Sequence, residues 1–341
     1  MRPEPSQLRV LVVAVPETAG SALYGMIDVL GAAGNIWEQL VELDDGWRVF
    51  SIGIVSESTE PFNCANDIPV HPRSCASDDP HADIIIVPEL WLGPDEIVGR
   101  RYPALLDWLR ECHRRGAYIY SACSGAILLA ETGLLDGKPA TSHWAYERQF
   151  QTRFPQVDFQ REPTLQFADP AGRIVTAGGT TSWHDLALHI IARHCSPGEA
   201  LRIAKVYLLK SHPEGQLPYA ALIREAPHAD AVVRRCEALL KQEFLADNPV
   251  RLAVQSAEVP ERTLKRRFKA ATGLSLIDYV QNLRIEHAKR LLETSGEPVD
   301  EIAASSGYDN PSFFRRLFKR RCGLAPAEYR RLFTAAPTAT A

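Results

Sequence analysis

Leu264-Lys265-Arg266-Arg267-Phe268-Lys269, followed by Gly273, and Phe314-Arg315-Arg316-Leu317-Phe318-Lys319, followed by Gly323, write one pattern twice, 50 residues apart. Ala253 and Ala303 keep the same offset. In each copy the apolar pair (Leu264 and Phe268, Phe314 and Phe318) is spaced i, i+4 and shares one side of a helix. Left outside the stripe are Glu261, Arg262, Lys265, Arg266 and Lys269 in the first copy, and Ser312, Arg315, Arg316 and Lys319 in the second. Two short, basic, helical units predict a partner that itself repeats. Duplex DNA fits, because its major groove returns every ~34 Å. The arginine fork matches the guanine edge, and both basic side chains neutralise phosphates.

Working outward, the pattern is helical from residue 229 onward. Helices are expected at 229–243, 251–257, 260–270, 275–292, 299–306 and 311–321. Asn310-Pro311 is an N-cap followed by a first-turn proline. The short helices ending near Ala257 and Ser306 would support the two reading helices. Between the copies, residues 276–292 make a single rod of roughly 25 Å at 1.5 Å per residue. With its flanking turns, that length suits two reading helices about one DNA turn apart. His212-Pro213-Glu214-Gly215-Gln216-Leu217-Pro218 is rich in breakers and predicts a linker over 213–228. Residues 335–341 read as a disordered tail.

The first two hundred residues have another rhythm. Short runs rich in Val, Ile or aromatics at 9–15, 47–55, 82–87 and 117–121 alternate with amphipathic stretches such as 102–115. Continuous apolar strands separated by helices mean a parallel sheet covered on both faces. Asp169-Pro170-Ala171-Gly172 predicts a hairpin turn between 164–167 and 173–176, and 181–194 and 199–209 read as the closing helices.

Composition supports a two-domain globular protein: 341 residues, 45% hydrophobic and 23% charged. The net charge of −4 conceals an asymmetry. Residues 245–341 hold 16 Lys and Arg against 11 Asp and Glu, so that segment carries +5 and the remainder −9. A basic module on an acidic body suits a reader of nucleic acid that does not adhere by its whole surface. The 7 cysteines are scattered without a CxxC pair, which argues against a disulfide framework or zinc finger and for a reducing compartment. The N-terminus lacks a signal-peptide layout, and the apolar run 8–15 is too short to span a bilayer. A cytoplasmic location is expected. His184, His189 and His194 lack metal-ligand spacing, so no metal or cofactor is expected.

The stretch Ile302-Ala303-Ala304-Ser305-Ser306-Gly307-Tyr308, then Asn310-Pro311-Ser312-Phe313-Phe314-Arg315-Arg316-Leu317-Phe318-Lys319 and Gly323-Leu324-Ala325-Pro326-Ala327-Glu328-Tyr329-Arg330, resembles the signature of AraC/XylS-type transcription regulators. The resemblance covers residues 229–332. It implies base reading by Glu261, Arg262, Lys265 and Arg266 in the first module, and by Pro311, Ser312, Phe313 and Arg316 in the second. The first module departs from it in having Ala257-Glu258 where the second has Gly307.

In the other half, Tyr118-Ile119-Tyr120-Ser121-Ala122-Cys123-Ser124-Gly125-Ala126 runs from strand to helix. A cysteine at such a turn sits at a helix N-terminus, which predicts an acidic, reactive thiol. Thr141-Ser142-His143-Trp144 follows, and His143 could serve as a base. This half resembles the PfpI-like class I glutamine amidotransferase-like superfamily, and the combination is similar to GlxA-type regulators. Enzymatic members place the acidic partner of the cysteine early in the chain, at a position held here by Ala22. They carry paired glycines where this chain has Pro88-Glu89-Leu90-Trp91-Leu92-Gly93.

The expected fold is therefore α/β, a flavodoxin-like parallel sheet sandwiched by helices over 7–212, followed by an all-α domain with two helix-turn-helix modules over 229–334. The expected function is a DNA-binding regulator, not an enzyme. Its effector pocket would draw on Tyr24, Trp91, Cys123, Ser124, His143 and Trp144. By resemblance, its partners are promoter DNA, RNA polymerase, a second copy of the chain and an amino-acid or amine effector. The alternatives are a Cys123/His143 hydrolase carrying a DNA-binding appendage, and a regulator whose first domain only dimerises.

Overall fold

The computed structural model describes residues 7–42, 46–93, 96–223 and 228–334. It divides into two units, with the boundary between Gln216 and Leu217. The expected tail, 335–341, lies outside the described residues.

In the first unit, seven strands among the described residues form one sheet. Their order is Leu165–Phe167, Ile174–Ala177, Tyr118–Ala122, Ile84–Val87, Leu8–Val13, Phe50–Ser56 and Ser74–Cys75. All neighbours are parallel except the hairpin pair Leu165–Phe167 and Ile174–Ala177. The side chains alternate between two cores. Val10, Val12, Ile84 and Ile86 pack with Leu23, Met26 and Leu30 of the helix Gly20–Gly31 and with Leu186, Ile190 and Ile191 of the helix Trp183–His194. Leu11, Val13, Ile85 and Val87 pack with Leu105, Leu109 and Cys112 of the helix Pro103–Arg115 and with the helix Gly125–Glu131. A strand buried on both faces must be apolar throughout, as Ile84–Val87 is.

The second unit holds the helices Ala231–Glu243, Pro249–Ser256, Glu261–Thr272, Leu276–Thr294, Val299–Ser305, Pro311–Cys322 and Pro326–Phe333. Their starts are written in the sequence. The side chains of Asp230, Asn248, Ser275 and Asn310 each accept a first-turn backbone N–H. There are two cores. One joins Val233, Leu240, Ala253, Leu264 and Phe268 to Leu276, Tyr279 and Val280. The other joins Ile302, Ala303, Phe314, Phe318 and Tyr329 to Ile285, Ala288 and Leu292. The rod Leu276–Thr294 thus serves both.

Within the segment expected as a linker over 213–228, the described residues include buried positions that belong to one unit or the other. Gln216 is buried in the first unit, and Ala220 and Leu222 are buried in the second. Asn282 donates to the Leu222 carbonyl and Lys289 to that of Ala220.

Candidate functional site

On each reading helix the leucine or phenylalanine stripe turns inward: Leu264, Phe268, Phe314 and Phe318 are fully buried. Glu261, Arg262, Lys265, Arg266 and Lys269 are exposed, as are Ser312, Phe313, Arg315, Arg316 and Lys319, with Pro311 partly so. Some of these charges are already engaged. Lys265 pairs with Glu261 at 2.5 Å, and Arg315 pairs with Asp300 on the supporting helix. Arg267, off the exposed face, forks onto Asp230 at 2.6 and 2.7 Å, and Arg321 reaches Asp278 at 2.5 Å. Arg262, Arg266, Lys269, Arg316 and Lys319 form no ion pair among the described residues, leaving a cationic surface on both helices.

The two turns differ. Gly307, at φ +80°, lies between the supporting helix Val299–Ser305 and the reading helix Pro311–Cys322. In the first module the left-handed position falls on Glu258, at φ +53°, and the turn is one residue shorter.

In the first unit, Cys123 sits at φ +54° between the strand Tyr118–Ala122 and the helix Gly125–Glu131. Its N–H extends the sheet by donating to the Ala177 carbonyl at 2.9 Å. The expected acidic thiol is overturned. Cys123 is 2% exposed, and burial pushes its pKa well above the ordinary thiol value, with the Glu89 carboxyl adding to the shift. Desolvation outweighs the short helix behind it.

Glu89 is the residue that sequence reasoning missed. It is buried, neighbours Cys123, and accepts from Thr180 Oγ1 at 3.2 Å. Burial raises its pKa against the opposing hydrogen bonds of Cys123 and Thr180. The acid beside the cysteine therefore comes from the loop after Ile84–Val87, not from the helix that carries Ala22. The only signal was a lone acid next to an all-apolar strand. Tyr146 also belongs to this cluster and donates to the Leu92 carbonyl at 3.1 Å.

Of the other expected pocket residues, Ser124 and His143 lie beside Tyr146 of the same cluster. Ser124 is a pin, bonded to both the N–H and the carbonyl of Leu90. His143 stacks on Trp144 at 4.8 Å and approaches Tyr146, while its Nδ1 accepts from the Ala145 N–H. Tyr24 donates to the Pro69 carbonyl at 2.6 Å and lies near Cys64, and Trp91 is 55% exposed. The backbone N–H groups of Leu90 and Trp91 are spent on Ser124 Oγ and the Glu17 carbonyl. A protonated thiol beside committed donors is poor equipment for acyl transfer. Among the described residues no three His, Cys, Asp or Glu side chains cluster to hold a metal, and no helix is long and apolar enough to cross a membrane.

A parallel-sheet unit with a cysteine elbow, joined to paired helix-turn-helix modules, defines a class: a sensing domain fused to a DNA reader. Residues 9–193 match the DJ-1/PfpI family, and residues 254–332 match a helix-turn-helix domain. The chain is 30% identical to the HTH-type transcriptional regulator GlxA of Rhizobium meliloti over 228 residues, 65% of this chain and 68% of that protein. It is 29% identical to the HTH-type transcriptional regulator CdhR of Pseudomonas aeruginosa over 243 residues, 70% of each. A ThiJ/PfpI family protein from Pseudomonas syringae shares the fold, with a TM-score of 0.50 and 21% identity over 75% of this chain and 93% of that one. The chain belongs to the DJ-1/PfpI family and, within it, to the helix-turn-helix transcription regulators of the GlxA type. It is a DNA-binding regulator.

Proposed function

We propose that this regulator works in the cytoplasm as a homodimer and reads two successive major-groove segments per chain. Arg262, Arg266 and Arg316 meet base edges, as do Glu261, Lys265, Pro311, Ser312 and Phe313. Lys269, Arg315 and Lys319 hold phosphates. The observation that carries this reading is the exposed set Arg262, Arg266, Lys269, Arg316 and Lys319, which form no ion pair among the described residues. Glu89, a buried carboxyl beside Cys123, supports an effector bearing an amine, such as an amino acid or amine derivative. The effector acts by binding one conformational population more tightly than another, and the DNA-bound form then engages RNA polymerase.

The test is selection of a binding site from random duplexes, followed by variants. Arg316→Ala is expected to cost about 1–3 kcal/mol and relax preference at one position. Lys319→Ala is expected to weaken all sequences alike and lower the salt slope by about 1. Unchanged base preference in Arg316→Ala would remove the second module as a reader. For the effector, a thermal-shift screen of amines and amino acids against wild type and Glu89→Gln should find a stabiliser that the variant loses.

A further inference from the structure

We propose that residues 141–144, with Pro163 and Gly178, form a carboxamide seat, filled in cis by Gln216, that couples the cysteine elbow to the start of the DNA-binding unit. This rests on the regulator reading above and names the route by which the elbow is felt at the reader.

The seat is built for a primary amide. Around Gln216 Nε2 stand Thr141 Oγ1 at 3.0 Å and the carbonyls of Ser142 and Pro163, each at 3.1 Å. The Trp144 N–H donates to Gln216 Oε1 at 3.3 Å. Two carbonyls facing one end and an N–H facing the other fix which way round the amide sits. Three acceptors share two protons, so a glutamate or a methyl ester could not replace it. The space exists because residue 178 is glycine. A Cβ there would stand 2.0 Å from Nε2 and 2.1 Å from Cδ.

The walls of the seat are also the walls of the elbow. Ser142 Oγ donates to the Cys123 carbonyl at 2.8 Å, and the Thr141 N–H donates to Thr176 Oγ1 at 2.8 Å. Cys123 itself pairs with Ala177, the residue before Gly178. A shift of Cys123 therefore moves the loop that grips Gln216.

Behind Gln216 the chain is clipped down. The Gln216 N–H donates to the Glu162 carbonyl at 2.8 Å, the His212 N–H to Asp185 Oδ1 at 2.9 Å, and Thr164 Oγ1 to the His212 carbonyl at 2.7 Å. His212 Nδ1 meets Asp185 Oδ2 at 2.8 Å. Gln216 is the last residue of the first unit, and Leu217 opens the second. Emptying the seat leaves residues 212–216 to these clips alone, and where they open the connection gains about 17 Å of reach at ~3.4 Å per residue.

The experiment is amide hydrogen exchange on the full chain, using two variants that empty the seat from opposite sides. Gln216→Ala removes the occupant, and Gly178→Ala places a methyl where the carboxamide sits. Each should speed exchange of the 212–216 amides about tenfold, with Tyr118–Ala122 and Leu276–Thr294 as protected as in wild type. The double variant should exchange no faster than either single one. Unchanged exchange at 212–216 in Gln216→Ala, or additive effects in the double variant, overturns the seat. If Gly178→Ala alone does not fold, the double variant, in which the new methyl enters vacated space, supplies the second arm. Affinity of the full chain for its selected DNA should differ at least about fivefold between wild type and Gln216→Ala. Equal affinities overturn the coupling, whereas a wild type that selects no DNA overturns the regulator reading instead.

Discussion

Arg284 Nη1 donates to the Gly307 carbonyl at 2.7 Å, inside the turn of the second helix-turn-helix. Its Nε and Nη2 donate to the carbonyls of Phe244 and Ala246, at 2.8 and 2.9 Å, beside the first module. One guanidinium thus brackets two modules, and Gly307 makes the room. A Cβ on residue 307 would stand 2.8 Å from the Arg284 Cζ, at a φ of +80° that side chains resist.

Gly307→Ala is accordingly expected to destabilise the second unit by about 2 kcal/mol, the sum of left-handed strain and a displaced guanidinium. Urea unfolding followed by far-ultraviolet circular dichroism checks this. A loss below a few tenths would mean that the turn adapts freely.

The first module carries the opposite opportunity. Glu258 occupies the left-handed position that Gly307 holds in the second. Glu258→Gly should raise stability by about 1 kcal/mol through relieved strain, read as a higher urea midpoint with unchanged slope. A fall in the midpoint would show that the Glu258 side chain stabilises the turn more than its backbone strains it.

Two groups, one buried and one partly buried, should bend the stability curve in opposite directions. Burial raises the Glu89 pKa, so the folded state prefers the protonated carboxyl. Stability from this group is complete below the ordinary carboxyl range and declines as pH rises through the raised value. Glu89→Gln, neutral at every pH, should flatten that decline. Urea midpoints between pH 4 and 8 that run parallel for wild type and variant would refute the assignment.

His194 behaves in the reverse sense. Burial first, then Arg193 and His189, lowers its pKa to about 4, and its Nε2 lies 2.9 Å from the Tyr120 hydroxyl. The neutral ring is favoured in the fold, so stability is present above about pH 6.5 and is lost as pH falls towards 4. Partial exposure screens the effect to on the order of 1 kcal/mol. His194→Gln should remove that acid-side slope, and persistence of the slope would place its origin elsewhere.

The thiols offer a further check. Cys123, 2% exposed and with its pKa pushed up, should alkylate with iodoacetamide at pH 8 more slowly than the half-buried Cys75. Faster labelling of Cys123 would restore it as a nucleophile.

The doubled helices were legible because burial at i, i+4 and charge outside it leave a regular trace in the sequence. Leu264, Phe268, Phe314 and Phe318 all went to the core as read. The apolar runs of the sheet were legible for the same reason. The helix Gly20–Gly31, which carries three glycines, and the two-residue strand Ser74–Cys75 were not, since tertiary packing rather than local preference forms them. In the site, the elbow geometry at Cys123 could be read, but its protonation could not, because desolvation depends on what closes over the sulfur. Glu89 and Gln216 escaped notice because each acts through partners far away in the chain. Gln216 was also hidden among breakers that look like a linker.

The rod Leu276–Thr294 lends its first half to one hydrophobic core and its second half to the other. Neither half of the reader can melt without unravelling a helix the other needs. Calorimetry of the second unit should therefore register one endotherm rather than two, and damage to either module should lower the thermal tolerance of both.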